Sequence, residues 1–197
     1  MNANATMESA ASLHPAHTVN GVDVDVLMGT VNAIKSDPGL GACKFRATNA
    51  WLAGSHNRST VTGFYGARQE IAHRQTFTMD ADEPAILAGA DNGGNPVEHL
   101  LHALASCLTT SMIAHAAVRG IRIEALESRL EGDIDLRGFL GLADDVPKGY
   151  TAIRAAFRVK ANPKDMPRIA ELVKFSPVFN TLMQGTAVDV HVDAMKC

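Results

Sequence analysis

Hydrophobic and polar positions change their period several times along this chain. Residues 22–36 carry Val24, Leu27, Met28, Val31 and Ile34 at helical spacing, and Asp37-Pro38-Gly39 follows; the pattern predicts an amphipathic helix that stops there. From about 42 to 80 the period falls toward two. CKFRATNAWL, STVTGFYG and HRQTFTMD read as three strands of a meander, with turn chemistry at Gly54-Ser55-His56-Asn57 and Gly66-Ala67. The helical period then returns over Asn95 to Gly120. No Asp, Glu, Lys or Arg lies between Glu98 and Arg119, and Leu100, Leu101, Leu104, Leu108, Met112 and Ile113 recur. Asn95 suits the N-cap, Pro96 the first turn, Glu98 a capping box and Gly120 the stop. A helix apolar around most of its circumference is expected to be buried on most sides, and the meander is what it is expected to return to.

Beyond this helix, Leu130, Gly132, Ile134 and Leu136 alternate with Glu131, Asp133 and Asp135, which predicts a strand with one wet face. GFLGLADDVPKG reads as a loop exposing Phe139 and Leu140, and TAIRAAFRVKA as another strand. Asn162-Pro163 begins a turn, and Ile169, Leu172 and Val173 mark a short helix. Ser176 and Pro177 fit the N-cap and N1 of a further helical turn. AVDVHVDA reads as a closing strand. Strands, a long helix, strands, helices and a strand make an α+β fold with segregated elements, not alternating βαβ units. We divide the chain into an N-terminal arm with an amphipathic helix, residues 1–40, and one domain, residues 41–197; residues 1–20, polar and small, are expected to be a mobile arm.

Composition narrows the function classes. A net charge of −3 and 5% aromatics give no basic excess and no stacking platform for nucleic acid. Cys43, Cys107 and Cys197 lie far apart without a CxxC pair, which is neither a disulfide framework nor a zinc site and suits a reducing compartment. The first fifteen residues lack a basic n-region and an apolar h-region, so a cytoplasmic location is expected. The uncharged run of the central helix approaches membrane-span length. His99, His102, Ser106, Thr109, Thr110, Ser111 and His115 within it are costly in lipid, so no membrane partner is expected.

The candidate chemistry centres on Cys107, near the middle of the long helix. Ala103, Leu104, Thr110 and Ser111 are its helical neighbours. None is cationic, so activation of the thiol must come from another segment; otherwise Cys107 packs as a small hydrophobe. His99 and His102 stand three apart without HExxH or a third ligand, and no metal is assigned. Asp80, Asp82, Glu83 and Asp91 lack EF-hand spacing and read as a solvated loop. Arg58, in Asn57-Arg58-Ser59, sits at a strand-to-strand turn. There is no G-x-S-x-G, Walker loop or G-x-G-x-x-G after a strand, and no cofactor is expected.

Asn95-Pro96-Val97-Glu98, then Leu100-Leu101, Ala103-Leu104-Ala105 and Cys107, resemble the central helix of the OsmC/Ohr superfamily. These are thiol-dependent peroxidases that act on organic hydroperoxides. Ser176-Pro177-Val178 resembles that family's second motif. The resemblance spans roughly residues 42–194 and implies antiparallel sheets around a long buried central helix in an intertwined homodimer, with thiol sites near the subunit interface. It maps the peroxidatic cysteine onto Cys107, the resolving cysteine onto Ser176, the glutamate onto Val97 and the arginine onto Arg58. Two of these positions depart from the family. Ser176 forms no disulfide, and Val97 carries no charge. Glu98 stands nine residues before Cys107, about 900° around the helix and on its opposite side.

Two functions follow as expectations. In the first, the chain is a one-cysteine organic hydroperoxide reductase of the oxidative stress response. It works through Cys107 aided by Arg58, on a small apolar hydroperoxide, with an external thiol as reductant. In the second, the same fold binds a small molecule, or a partner through the 139–142 loop, and Cys107 is a packed core residue.

Overall fold

The structure is a computed structural model that describes residues 17–195; Cys197 and most of the expected arm lie outside the described residues. The chain enters as a short hairpin, β1 (Thr18–Val19) and β2 (Val22–Asp23), turning on Asn20 and Gly21 with φ of 54° and 78°. Asp23 caps α1 (Val24–Ser36) by accepting from the Val26 N–H at 3.0 Å. Asp37 ends that helix, as the Asp-Pro-Gly signal predicts. The Asn20 amide donates to the Ile121 carbonyl and accepts from the Ile123 N–H, each at 2.9 Å. From residue 17 onward, therefore, the expected arm is docked.

The meander follows. β3 (Lys44–Phe45) and β4 (Thr48–Ala53) lie end to end along one edge of β5 (His56–Gly66), and β6 (Gln69–Ala81) lies along the other, all antiparallel. The first predicted strand is thus broken at Arg46-Ala47. Register holds from Asn57↔Ala81 to Val61↔Phe77 and resumes at Gly63↔Ala72, so β6 bulges across residues 73–76.

α2 (Pro96–Val118) starts where the sequence places it. Asn95 Oδ1 accepts from the Val97 N–H at 3.0 Å, and Glu98 Oε2 accepts from the Asn95 N–H at 2.9 Å, a complete capping box. Gly120, at φ 66°, ends it. β7 (Ile123–Asp133) and β8 (Ala152–Ala161) form a second antiparallel hairpin, with α3 (Leu136–Phe139) in the loop between them. α4 (Met166–Ala170) runs into a 3₁₀ turn ending at Phe175, and α5 (Pro177–Gln184) follows.

Four departures from the sequence expectation have physical causes. First, α2 packs not on the meander but on β7, β8 and the C-terminal helices. Its stripe Leu104, Leu108, Met112 and Ala116, spaced four apart, meets Ile169 and Leu172 with Leu126, Leu130, Ile153 and Phe157 against them. Second, α2 is buried within one chain only along that stripe and at Ala117; His102, Ser106 and Thr110 line an open side. α2 is a described helix long and apolar enough to cross a membrane, yet its buried stripe forms the core of the fold. Third, the alternation through Leu136 does not remain strand. Asp135 accepts from the Arg137 N–H at 2.9 Å and caps α3, because a local cap competes with the ladder. Fourth, AVDVHVDA is not a strand. Val188, Val190 and Val192 are 79%, 75% and 92% exposed, since no strand among the described residues pairs with them.

Met112 is 1% exposed in the middle of the core, so Met112→Ala should cost about 3 kcal/mol by urea denaturation. Ser106→Ala on the open side should change stability by less than about 0.5 kcal/mol.

Candidate active site

The packing of α2 on the C-terminal helices sets two side chains together. Cys107 is a free, half-buried thiol. Ser176, 0% exposed, donates its hydroxyl proton to Cys107 Sγ at 3.2 Å. The same oxygen accepts from the Phe179 N–H at 3.2 Å and so caps α5, as Ser-Pro predicts. Asn180 Nδ2 donates to the carbonyls of Lys174 and Ser176, at 2.9 and 2.8 Å, and fixes the approach to the cap. Ser176 therefore has one proton to give, and it points at sulfur. A hydroxyl donor there stabilises negative charge on the sulfur.

The other expected groups lie elsewhere. Arg58 is within β5, not at its turn, and its guanidinium holds Asp80 through Nε and Nη2 at 2.8 and 3.1 Å. His56 Nε2 meets the same carboxylate at 3.0 Å. Arg58, and after it His56, keep Asp80 below the usual carboxylate range. Arg58 pairs across the ladder with Asp80, and Ser59 with Met79, so Arg58 faces away from the surface that bears Met79. The Asp80 carbonyl binds His99 at 3.0 Å, and His99 stands eight residues, about 12 Å of helix rise, before Cys107. No hydrogen bond or ion pair joins Arg58 to Cys107 in one chain. Val97, at the expected glutamate position, offers only its carbonyl, which accepts from the Tyr150 hydroxyl at 2.9 Å. Burial, then the charge of Glu98, raises the Tyr150 pKa. Glu98, His99, His102, Met79 and Gly94 line a cleft of about 330 Å³ at the start of α2. His115 stacks on Phe175 with centroids 4.0 Å apart; burial and Arg119 lower its pKa.

The 80–95 loop differs from its expectation. Asp82 is not solvated: it is 2% exposed. Its carboxylate accepts from Ser55 Oγ at 2.5 Å, from the N–H groups of Glu83 and Asn92 at 2.8 and 3.1 Å, and from Asn92 Nδ2 at 2.8 Å. These donors, the Ser55 hydroxyl first, drive its pKa far below the usual carboxylate value. A side chain at Gly93 would collide with the Asp80 backbone, so the glycine at this position is what lets the loop close. Asp82 reads from the sequence only as one acid of a solvated loop, and Tyr150 carries no signal there. The Gly93-Gly94 pair was the available signal for the first, and nothing local marks the second.

Segregated antiparallel sheets, a central helix with a mid-helix thiol and a hydroxyl set against it define an OsmC-type α+β protein. The profile of the OsmC-like protein family matches residues 89–191, just over half of the chain. The chain belongs to the OsmC-like protein family. Its fold is similar to that of an OsmC-like protein from Mycoplasma pneumoniae, at 21% identity and a TM-score of 0.54, covering 72% of this chain and 88% of that one. It is also similar to a Psychrobacter arcticus protein named for an osmotic stress induced and detoxification response, at 14% identity and a TM-score of 0.51, covering 68% and 85%. No curated protein matches the chain.

Because Asp82 has a lowered pKa in the fold, its contribution is complete above the unfolded carboxylate value of about 3.9 and is lost as pH falls below that value. Amide exchange over residues 83–94 should therefore stay slow at about pH 5. Asp82→Ala should make it fast at neutral pH, while exchange in α2 beyond His102 stays slow.

Proposed function

We propose that this chain is a one-cysteine thiol peroxidase that reduces organic hydroperoxides in a stress response. The observation that carries the reading is the hydroxyl proton of Ser176 directed at Cys107 Sγ at 3.2 Å. Cys107 sulfur attacks the outer peroxide oxygen, the O–O bond breaks, and the inner oxygen leaves with the electron pair and a proton as an alcohol. Sulfur is oxidised by two electrons to sulfenic acid. Ser176 cannot resolve it, so two equivalents of a small external thiol reduce it, giving water and their disulfide. Free thiols at Cys43 and Cys107 fit a reducing, cytoplasmic setting. A homodimer belongs to this reading. Exposed Phe45 and Trp51 on the meander, the open side of α2 and the unpaired 187–194 segment are surfaces that a second copy covers.

A second reading keeps the fold as a binding protein with Cys107 packed. It is favoured by the engagement of Arg58 with Asp80 and by the uncharged Val97.

A mild dose of an alkyl hydroperoxide separates the two. Mass spectrometry should find one added oxygen on Cys107 before the exposed Cys43, and Cys107→Ser should abolish turnover with an external thiol. Oxidation confined to Cys43 would leave the binding reading. Ser176→Cys should form a disulfide with Cys107 on oxidation, visible as a loss of two mass units, because the two side chains already touch.

A further inference from the structure

One row of α2 runs from the thiol to the end of the helix. Cys107, Ser111, His115 and Arg119 stand four apart, so they share one face beside the buried stripe. The 3₁₀ turn before α5 packs against α2, and its two anchors differ. Leu172 is buried in the core. Phe175, 40% exposed, stacks on His115 with centroids 4.0 Å and planes 23° apart. The next residue is Ser176, whose hydroxyl reaches Cys107. The cap of α5 sets the direction of that hydroxyl; the seat of Phe175 on His115 sets how close the cap lies to sulfur.

The seat holds only one protonation state. Arg119 Nη1 lies 3.0 Å from His115 Nδ1 and donates to the His115 carbonyl at 2.9 Å. A guanidinium has donors and no acceptor, so Nδ1 is bare and the imidazole proton sits on Nε2. A second proton would set N–H against N–H and two cations side by side. The aromatic ring beneath gives no relief, because it is already shared: the Arg119 guanidinium stands 5.3 Å and Lys174 Nζ 5.7 Å from the Phe175 centroid. Glu171 holds Lys174 at 3.2 Å, while Arg119 has no carboxylate partner among the described residues. Arg119 on α2, and Lys174 with Glu171 on the turn, are thus the charged groups around this imidazole.

We propose that His115 is a positioning residue for the thiol: neutral, it seats Phe175 and so keeps Ser176 on Cys107; protonated, it releases both. The inference rests on the peroxidase reading above for the use of the thiol, and on this geometry for the switch. Burial, then Arg119, resists the charge on His115. The seat is therefore whole at neutral pH and gives way as pH falls below the ordinary imidazole value of about 6.5. The thiolate then loses its hydroxyl donor, and attack on a hydroperoxide slows in acid beyond the loss that protonation of the thiol itself brings.

The test uses full chains carrying Cys43→Ser and Cys197→Ser, so that Cys107 is the one thiol, and follows its reaction with dithiodipyridine against pH. The quantity read is the ratio of rates with and without the Ser176 hydroxyl, the latter from Ser176→Ala. The donor should raise the thiolate fraction about tenfold. The weaker nucleophile gives back about half of that on a logarithmic scale, so the ratio should be about three at neutral pH. It should fall to about one in acid. In His115→Phe, which keeps the stack and cannot charge, it should stay at about three throughout; in His115→Lys it should be about one already at neutral pH. A wild-type ratio that holds in acid, or one that falls equally in His115→Phe, overturns the assignment. Thermal melting scores the fold of each variant. In the chain with Ser176 intact, the proton resonances of the Phe175 ring must move with the same midpoint as His115; a ring that does not respond overturns the switch without any variant at Ser176. None of these readouts uses a hydroperoxide, so a failed peroxidase reading and a failed His115 assignment leave different records.

Discussion

The contact between α2 and the segment 166–184 governs the rest of the structure. Leu104, Leu108, Met112 and Ala116 form a ridge one residue wide, and Ile169 and Leu172 fit against it. That fit is apolar and non-directional, yet it has a chemical result. It sets the start of α5 beside the middle of α2, and the cap of one helix becomes the neighbour of a sulfur on the other. Hydrophobic burial holds the two helices together; the hydroxyl decides what the thiol experiences.

A second constraint joins the meander to α2. Asp82 gathers the donors of Ser55, Glu83 and Asn92 into one carboxylate, and Asn95 Nδ2 binds Glu83 at 2.5 Å. The loop between sheet and helix is therefore organised from within, not trailing in solvent. A buried carboxylate that accepts several donors keeps its charge, since each hydrogen bond favours the ionised form. The capping box of α2 is an extension of that network.

Local chemistry was legible in the sequence wherever one short stretch decides the outcome. The Asn-Pro-x-Glu start of α2, the Asp-Pro-Gly stop of α1 and the Ser-Pro cap of α5 all stand where the pattern put them. The resemblance also set Ser176 opposite Cys107, and the two side chains meet. What failed were matters of partnership. Periodicity showed that α2 needed cover but not which sheet would give it, and a uniformly apolar helix hides the difference between its packed and open sides. The alternation of Val188, Val190 and Val192 was real, but a strand is completed only by a neighbour. Arg58 was placed by alignment alone; within the chain, the two-residue period of β5 sets it on the face of Asp80, whose carboxylate it holds.

The amide of Asn20 has an effect beyond tying down the N-terminal hairpin. It takes the carbonyl of Ile121 and the N–H of Ile123, the same two backbone groups that an adjoining strand would use. One side chain thus impersonates a strand at the outer rim of β7 and closes its first rung. Any segment that later extends this hairpin sheet must begin its pairing past Ile123, so a single asparagine fixes where growth of the sheet is allowed to start.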